Sequence, residues 1–123
     1  MCSDNGIVSE GVSQSDSRVT AQVAKEIAAG RSSVNMLANQ FSTEILTVDI
    51  GIDSDIYCSN IINKKIAYGT RSIAKGPAMD PSHARKAISN GIEIVYDLCR
   101  NGTDIIITGE MGIGNTTTSA AIA

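Results

Sequence analysis

Residues 104–123 compress three structural signals into one short stretch: Asp104-Ile105-Ile106-Ile107-Thr108, then Gly109-Glu110-Met111-Gly112-Ile113-Gly114, then Asn115-Thr116-Thr117 and an alanine-rich segment. The β-branched run predicts a strand, the glycines a tight turn, and the polar residues before alanines the first turn of a helix. A strand that turns directly into a helix is half of a crossover unit. Such a unit needs a parallel neighbour, which points to an α/β layer.

The rest of the chain agrees with that reading. Met1 to Ile7 reads as the end of a strand running into a polar loop, and Val19, Val23 and Ile27 recur at helical spacing before Gly30, predicting a helix over Val19–Ala29. Ser32 or Ser33 can cap a second helix carrying Val34, Leu37, Ala38 and Phe41. The run Ile45-Leu46-Thr47-Val48-Asp49-Ile50 then suits a buried strand. Between Asp55 and Met79 the runs Ile61-Ile62 and Ile66-Ala67-Tyr68 offer short strand pieces, while Gly69, Gly76 and Pro77 break anything longer. Asp80-Pro81 is an N-cap followed by a first-turn proline, and Ala84, Ala87, Ile88, Ile92, Val95, Leu98 and Cys99 form a core stripe up to Asn101-Gly102. Helices alternating with strands predict a three-layer, Rossmann-like parallel sheet with flanking helices. Residues 1–123 would form a single α/β domain, incomplete as it stands and drawn from a longer polypeptide.

Composition narrows the function. A net charge of −3 with only three Tyr, one Phe and no Trp argues against a nucleic-acid partner. Three cysteines without C-x-x-C spacing argue against a disulfide framework or a structural zinc, and fit a reducing cytoplasm. Apolar runs fall far short of the roughly 18 residues that span a bilayer, and no basic-then-apolar leader opens the chain, so no membrane association is expected.

The glycine loop carries the chemistry. A strand end feeding a helix N-terminus presents several backbone N–H groups and a positive dipole end to one point, where a phosphate or carboxylate can sit. Gly109, four residues, then Gly114-Asn115-Thr116 has the spacing of the triphosphate loop, but Asn115 stands where its lysine belongs. A dinucleotide fingerprint also fails, because Thr117 replaces the third glycine. A monophosphate fits better, against the plain alternative of a tight β-to-α turn with no ligand. Glu110 lies where open α/β sheets bind ligands. Beside an anion it makes sense as a carboxylate that holds a neutral or cationic part of the substrate or steadies positive charge on a sugar carbon; the plainer alternative is a carboxylate capping backbone amides. His83 has no ligand partner in range and reads as solvent-exposed. The pair Lys64-Lys65 reads as a solvated face.

The string Gly109-Glu110-Met111-Gly112-Ile113-Gly114-Asn115-Thr116-Thr117 resembles the signature of the nicotinate-nucleotide:dimethylbenzimidazole phosphoribosyltransferases of cobalamin lower-loop assembly. Further segments agree in order and spacing: Asp4 to Gly6 with Glu10-Gly11-Val12-Ser13; Val19-Thr20-Ala21-Gln22; Val48-Asp49-Ile50-Gly51-Ile52; and Gly69-Thr70 with Ile73-Ala74 and Pro77-Ala78-Met79. The match covers nearly the whole chain and a central portion of a longer family sequence. It departs at Asp4-Asn5-Gly6, where many relatives have Asp-His-Gly; Asn5 cannot carry an acid/base role there and is left a positional one.

The resemblance implies a pentosyltransferase. The phosphoribosyl group of nicotinate mononucleotide would pass to 5,6-dimethylbenzimidazole, giving α-ribazole 5′-phosphate and nicotinate, with no metal and no cofactor. It implies that Gly112, Gly114, Asn115 and Thr116 bind phosphate, that Glu110 is an auxiliary carboxylate near the ribose, and that Ser15 and Gln22 lie in or near the base pocket, Gln22 being equally readable as a polar position on the first helix. The family's general base falls outside these residues, so this fragment alone is expected to be inactive; the family also implies a homodimer. The alternatives are a non-catalytic base- or nucleotide-binding module and, more remotely, a nucleotide-triphosphate hydrolase, which Asn115 disfavours.

Overall fold

A computed structural model describes all residues, Met1–Ala123. Three strands, β1 (Cys2–Ser3), β2 (Thr47–Gly51) and β3 (Ile61–Asn63), form one parallel sheet in the order β1-β2-β3. Helices α1 (Arg18–Ala28) and α2 (Ser33–Gln40) lie between β1 and β2 in sequence, while α3 (Pro81–Arg100) and α4 (Asn115–Ile122) follow β3. The α/β architecture, the parallel sheet and the flanking helices match the expectation.

β2 is central, with Thr47 opposite Ile61 on one side and Asp49 opposite Cys2 on the other. Its β-branched Thr47 and Val48 are buried, as a strand paired on both edges requires. One face of the sheet is closed by α1, whose Ala24 packs with Cys2, Ile52 and Ile61; small residues at Ala21, Ala24 and Ala28 let that helix lie close. All three cysteines are free thiols, and burial, more than any neighbouring charge, pushes the Cys2 thiol pKa up.

The carboxyl end of β2 is held by a buried ion pair. Asp49 Oδ2 lies 3.0 Å from Lys65 Nζ, while its Oδ1 accepts from the N–H of Gly51 at 3.0 Å and of Ile52 at 2.9 Å. Lys65 also donates to the carbonyls of Ile52 and Ser54, and its ammonium stands 4.7 Å from the centre of the Tyr68 ring. This corrects the expectation of a solvated Lys64-Lys65 face: Lys64 pairs with Glu93 at 2.9 Å, but Lys65 turns inward because Asp49 is buried there and needs a cation.

Three other expectations fail for a shared reason. Asp104–Thr108 forms no strand, and Ile105 and Ile107 are each 80% exposed. Only Met111 joins the sheet, through a parallel bridge to Cys2, with the Met1 amino group donating to the Gly109 carbonyl at 3.0 Å. Residues 104–108 have no strand beside them, so their β propensity has no ladder to form. Likewise the α3 stripe is not core: Ile88, Ile92 and Val95 are exposed, and Asn90, which donates to the Lys64 carbonyl at 3.1 Å, is the residue that α3 buries. On α2, Leu37 is exposed, as is Phe41 just beyond the helix. Of these, Leu37, Phe41, Val95 and Ile107 line an apolar cavity of about 720 Å³ between α2, α3, the 104–111 segment and β2. His83, expected in solvent, is half-buried and makes no hydrogen bond. No helix is long and apolar enough to cross a membrane.

Replacing Lys65 by Met strands the Asp49 carboxylate in the interior and should cost about 3–5 kcal/mol of stability. In urea denaturation, the double variant Asp49→Asn with Lys65→Met should recover a large part of that loss. Equal stability of Lys65→Met and the unaltered chain would contradict the role given to the pair.

Candidate functional site

The site is built where the 109–114 loop crosses the end of β1. Two backbone bonds dock it: Met111 N–H donates to the Met1 carbonyl at 2.9 Å and Ser3 N–H donates to the Met111 carbonyl at 3.0 Å. The loop then turns into α4. Asn115 N–H closes the turn on the Gly112 carbonyl at 3.0 Å, and Gly114, at φ +82°, is the N-cap. A side chain at Gly114 would be strained by that φ and would press on Val8 and Ile7 of the 3₁₀ turn Gly6–Glu10. A side chain at Gly112 would run into the Ser3 carbonyl oxygen. The glycines are therefore set by close approach as well as by turn geometry.

Side chains from distant positions hold the loop's shape. Thr20, fully buried on α1, accepts the Ile113 N–H at 3.1 Å. Asn5 donates from Nδ2 to the Ile113 carbonyl at 3.2 Å and accepts from the Thr118 hydroxyl at 3.0 Å. Asn5 thus positions the loop, in keeping with the role left to it. The clamp from Thr20 was not a candidate from sequence; the available signal was a threonine on the same helical face as Ala24, where a buried hydroxyl must find a partner.

Within this frame the N–H groups of Gly112 and Gly114 donate to no atom of the chain; Gly114 is the N-cap of α4, where the helix dipole is positive, and Gly112 lies two residues before it. Asn115 donates from Nδ2 to Glu110 Oε2 and accepts the Thr116 N–H on its Oδ1 at 2.8 Å. The side chain expected to bind phosphate therefore also fixes Glu110 over the loop mouth. Glu110, Gly112, Gly114, Asn115 and Thr116 are gathered on one loop and the first turn of α4, where Asn115 bonds both Glu110 and the Thr116 N–H.

Ser15 and Gln22 are not part of that contact set. Ser15 is exposed, its N–H bonded to Ser13 Oγ at 3.1 Å, and Gln22 is exposed on α1, two residues beyond Thr20. Glu10, in the loop before them, is tied to Lys75 at 2.8 Å, and that ammonium holds its carboxyl below the usual carboxylate range. No group of three His, Cys, Asp or Glu side chains is gathered in a way that could hold a metal.

The chain matches a family model described as Phosphoribosyltransferase over residues 1–123. It is 50% identical over 123 residues to the nicotinate-nucleotide–dimethylbenzimidazole phosphoribosyltransferase of Ruminiclostridium cellulolyticum, and 46% identical over 123 residues to that of Acetivibrio thermocellus. In both cases the match takes in 100% of this chain and 35% of the relative. A crystal structure of CobT from Thermus thermophilus superposes with a TM-score of 0.93 at 32% identity, over 98% of this chain and 36% of that one. The chain spans about a third of the length of the curated relatives it matches.

Gly112→Ala should destabilise the protein by about 1–3 kcal/mol through overpacking against β1. Gly109→Ala, three residues away and with open space around its Cα, should stay within about 0.5 kcal/mol. Denaturant titration of the two variants checks the contrast, which would be absent if the loop did not sit against Ser3.

Proposed function

The chain belongs to the phosphoribosyltransferase family, and from that premise we propose that the protein transfers the phosphoribosyl group of nicotinate mononucleotide to 5,6-dimethylbenzimidazole. A benzimidazole ring nitrogen attacks C1′, the bond from C1′ to the pyridine nitrogen breaks, and nicotinate leaves with that electron pair. The benzimidazole then gives up its N–H proton to a base contributed from outside residues 1–123, leaving α-ribazole 5′-phosphate.

The observation that carries this reading is the loop itself. The N–H groups of Gly112 and Gly114, which donate to no atom of the chain just ahead of α4, suit the 5′-phosphate dianion, with the Asn115 and Thr116 side chains next in the chain to add polar contacts. Glu110, held by Asn115, faces the ribose and favours the positive charge that develops at C1′ as the pyridine departs. Ser15 and Gln22 belong to the wall of the base pocket. The reaction needs no metal or organic cofactor, because the leaving group already carries a cationic nitrogen.

Residues 1–123 form the central part of a longer cytoplasmic enzyme that works as a homodimer. The partial coverage of every relative named above supports the longer chain, as do the uncovered apolar faces of α2, α3 and 104–111 around the 720 Å³ cavity. The remaining segments of the same polypeptide close that cavity and complete the active site.

The test is turnover by the full-length protein, followed as α-ribazole 5′-phosphate by chromatography. Glu110→Gln should lower kcat by about 10²–10³-fold, the range for one electrostatic contact to a developing charge, with a smaller change in KM for nicotinate mononucleotide. The isolated 123-residue chain should give no product. Binding of either substrate by the full-length protein without turnover would overturn the enzyme reading in favour of a binding module.

A further inference from the structure

The phosphate contact proposed at Gly114 depends on which way one peptide bond faces, and the chain holds that peptide from outside the loop. Gly112 to Asn115 form a four-residue turn, closed by the Asn115 N–H on the Gly112 carbonyl at 3.0 Å. Gly114, the third residue, has φ +82° and ψ +2°, while Ile113, the second, has no positive φ. That combination is a type II turn. A type I turn closes with the same hydrogen bond and differs by turning over the central peptide, here the Ile113 C=O and the Gly114 N–H. Glycine at the third position adopts either form at little cost, so the turn alone does not hold the choice.

A trans peptide is planar, and its N–H points opposite to its C=O. The Ile113 carbonyl accepts from Asn5 Nδ2 at 3.2 Å, so the Gly114 N–H faces away from Asn5, where it meets no atom of the chain. Turned over, the peptide would present a carbonyl oxygen where the N–H now points. A phosphate there would lose a donor and meet a lone pair instead. Thr20, which accepts the Ile113 N–H at 3.1 Å, holds the preceding peptide, whose place is the same in both turn types. The choice between them falls to Asn5.

Asn5 can hold it because its own position is set elsewhere. On one side Asp4 donates its N–H to the Gly51 carbonyl at 3.0 Å and accepts the Thr70 N–H on its carbonyl at 3.2 Å. On the other, the Gly6 N–H donates to Thr70 Oγ1 at 3.1 Å. The Ile113 carbonyl can only accept, so the Asn5 amide turns Nδ2 to it and leaves Oδ1 to the Thr118 hydroxyl, which donates at 3.0 Å. Thr118 on α4 thereby fixes the sense of the amide.

We propose that Asn5, backed by Thr118, is a positioning residue that latches the 113–114 peptide with the Gly114 N–H toward the substrate phosphate, and that loss of its donor turns the peptide over and weakens binding of nicotinate mononucleotide. The effect on substrate rests on the transfer reading; the effect on the peptide rests on the turn geometry alone.

The experiment uses the full-length protein carrying Asn5→Asp, which keeps an acceptor for Thr118 and sets a carboxylate oxygen against the Ile113 carbonyl. KM for nicotinate mononucleotide should rise by about 10–100-fold, the effect of one hydrogen bond to a charged group, while KM for 5,6-dimethylbenzimidazole stays unchanged. General damage to the fold would move both. In crystals of the variant the 113–114 peptide should be turned over, with the Gly114 N–H donating to the new carboxylate. Thr118→Val, which frees the Asn5 amide to rotate, should raise the same KM by about 2–10-fold and carries the test if Asn5→Asp does not fold. A peptide that keeps its orientation in Asn5→Asp, or variants in which the two KM values stay put or move together, would overturn the latch. Absence of turnover by the unaltered protein would instead overturn the transfer reading, and the crystals would still decide the latch.

Discussion

The ion pair between Asp49 and Lys65 is the constraint on which the rest of the arrangement depends. Asp49 ends the central strand by turning two N–H groups, those of Gly51 and Ile52, onto its own carboxylate, and Lys65 neutralises the charge that this burial concentrates. The turn so formed presents the Gly51 carbonyl to the N–H groups of Asp4 and Gly69, and the Asp53 N–H to the Asp4 carboxylate. Asp4 in turn places Asn5, which grips Ile113. A charge pair at one strand end thus fixes the position of a loop that is remote from it in sequence.

The loop itself is rigid for reasons separate from its glycines. Its backbone is docked on Met1 and Ser3, its Ile113 amide is held from both sides by Thr20 and Asn5, and its helix start is tied through Thr118. Among the N–H groups that remain without a partner are those of Gly112 and Gly114. In the function proposed, a loop already held in place would meet the phosphate without having to reorganise, which is how electrostatic stabilisation becomes useful to a reaction. Glu110 is held there because Asn115 bonds both it and the Thr116 N–H, and a lysine at position 115, as in triphosphate loops, would pair with Glu110 instead.

Much of this is legible in the residues. Periodicity gives α1 and α3 nearly to their ends, a serine at position 32 caps α2, and the glycine loop reads as a turn feeding a helix. The strand expected at Asp104–Thr108 fails because propensity describes fit to a ladder, and no ladder lies alongside. The α3 stripe fails similarly, since an amphipathic pattern states which face seeks cover but not whether cover is present. Lys65 looks like surface because its burial is imposed by Asp49, in another element of the chain. The partner that Thr20 and Asn5 grip, Ile113, is not legible: a threonine on the Ala24 face and an asparagine without acid/base chemistry suggest positioning roles, but no spacing in a single sequence says which backbone they hold.

The most direct measurement is a crystal structure of the full-length protein with nicotinate mononucleotide bound. The account predicts the 5′-phosphate on the N–H groups of Gly112 and Gly114 at the start of α4, with Glu110 turned to the ribose. Phosphate bound elsewhere, with the Gly112–Thr116 loop empty, would contradict it.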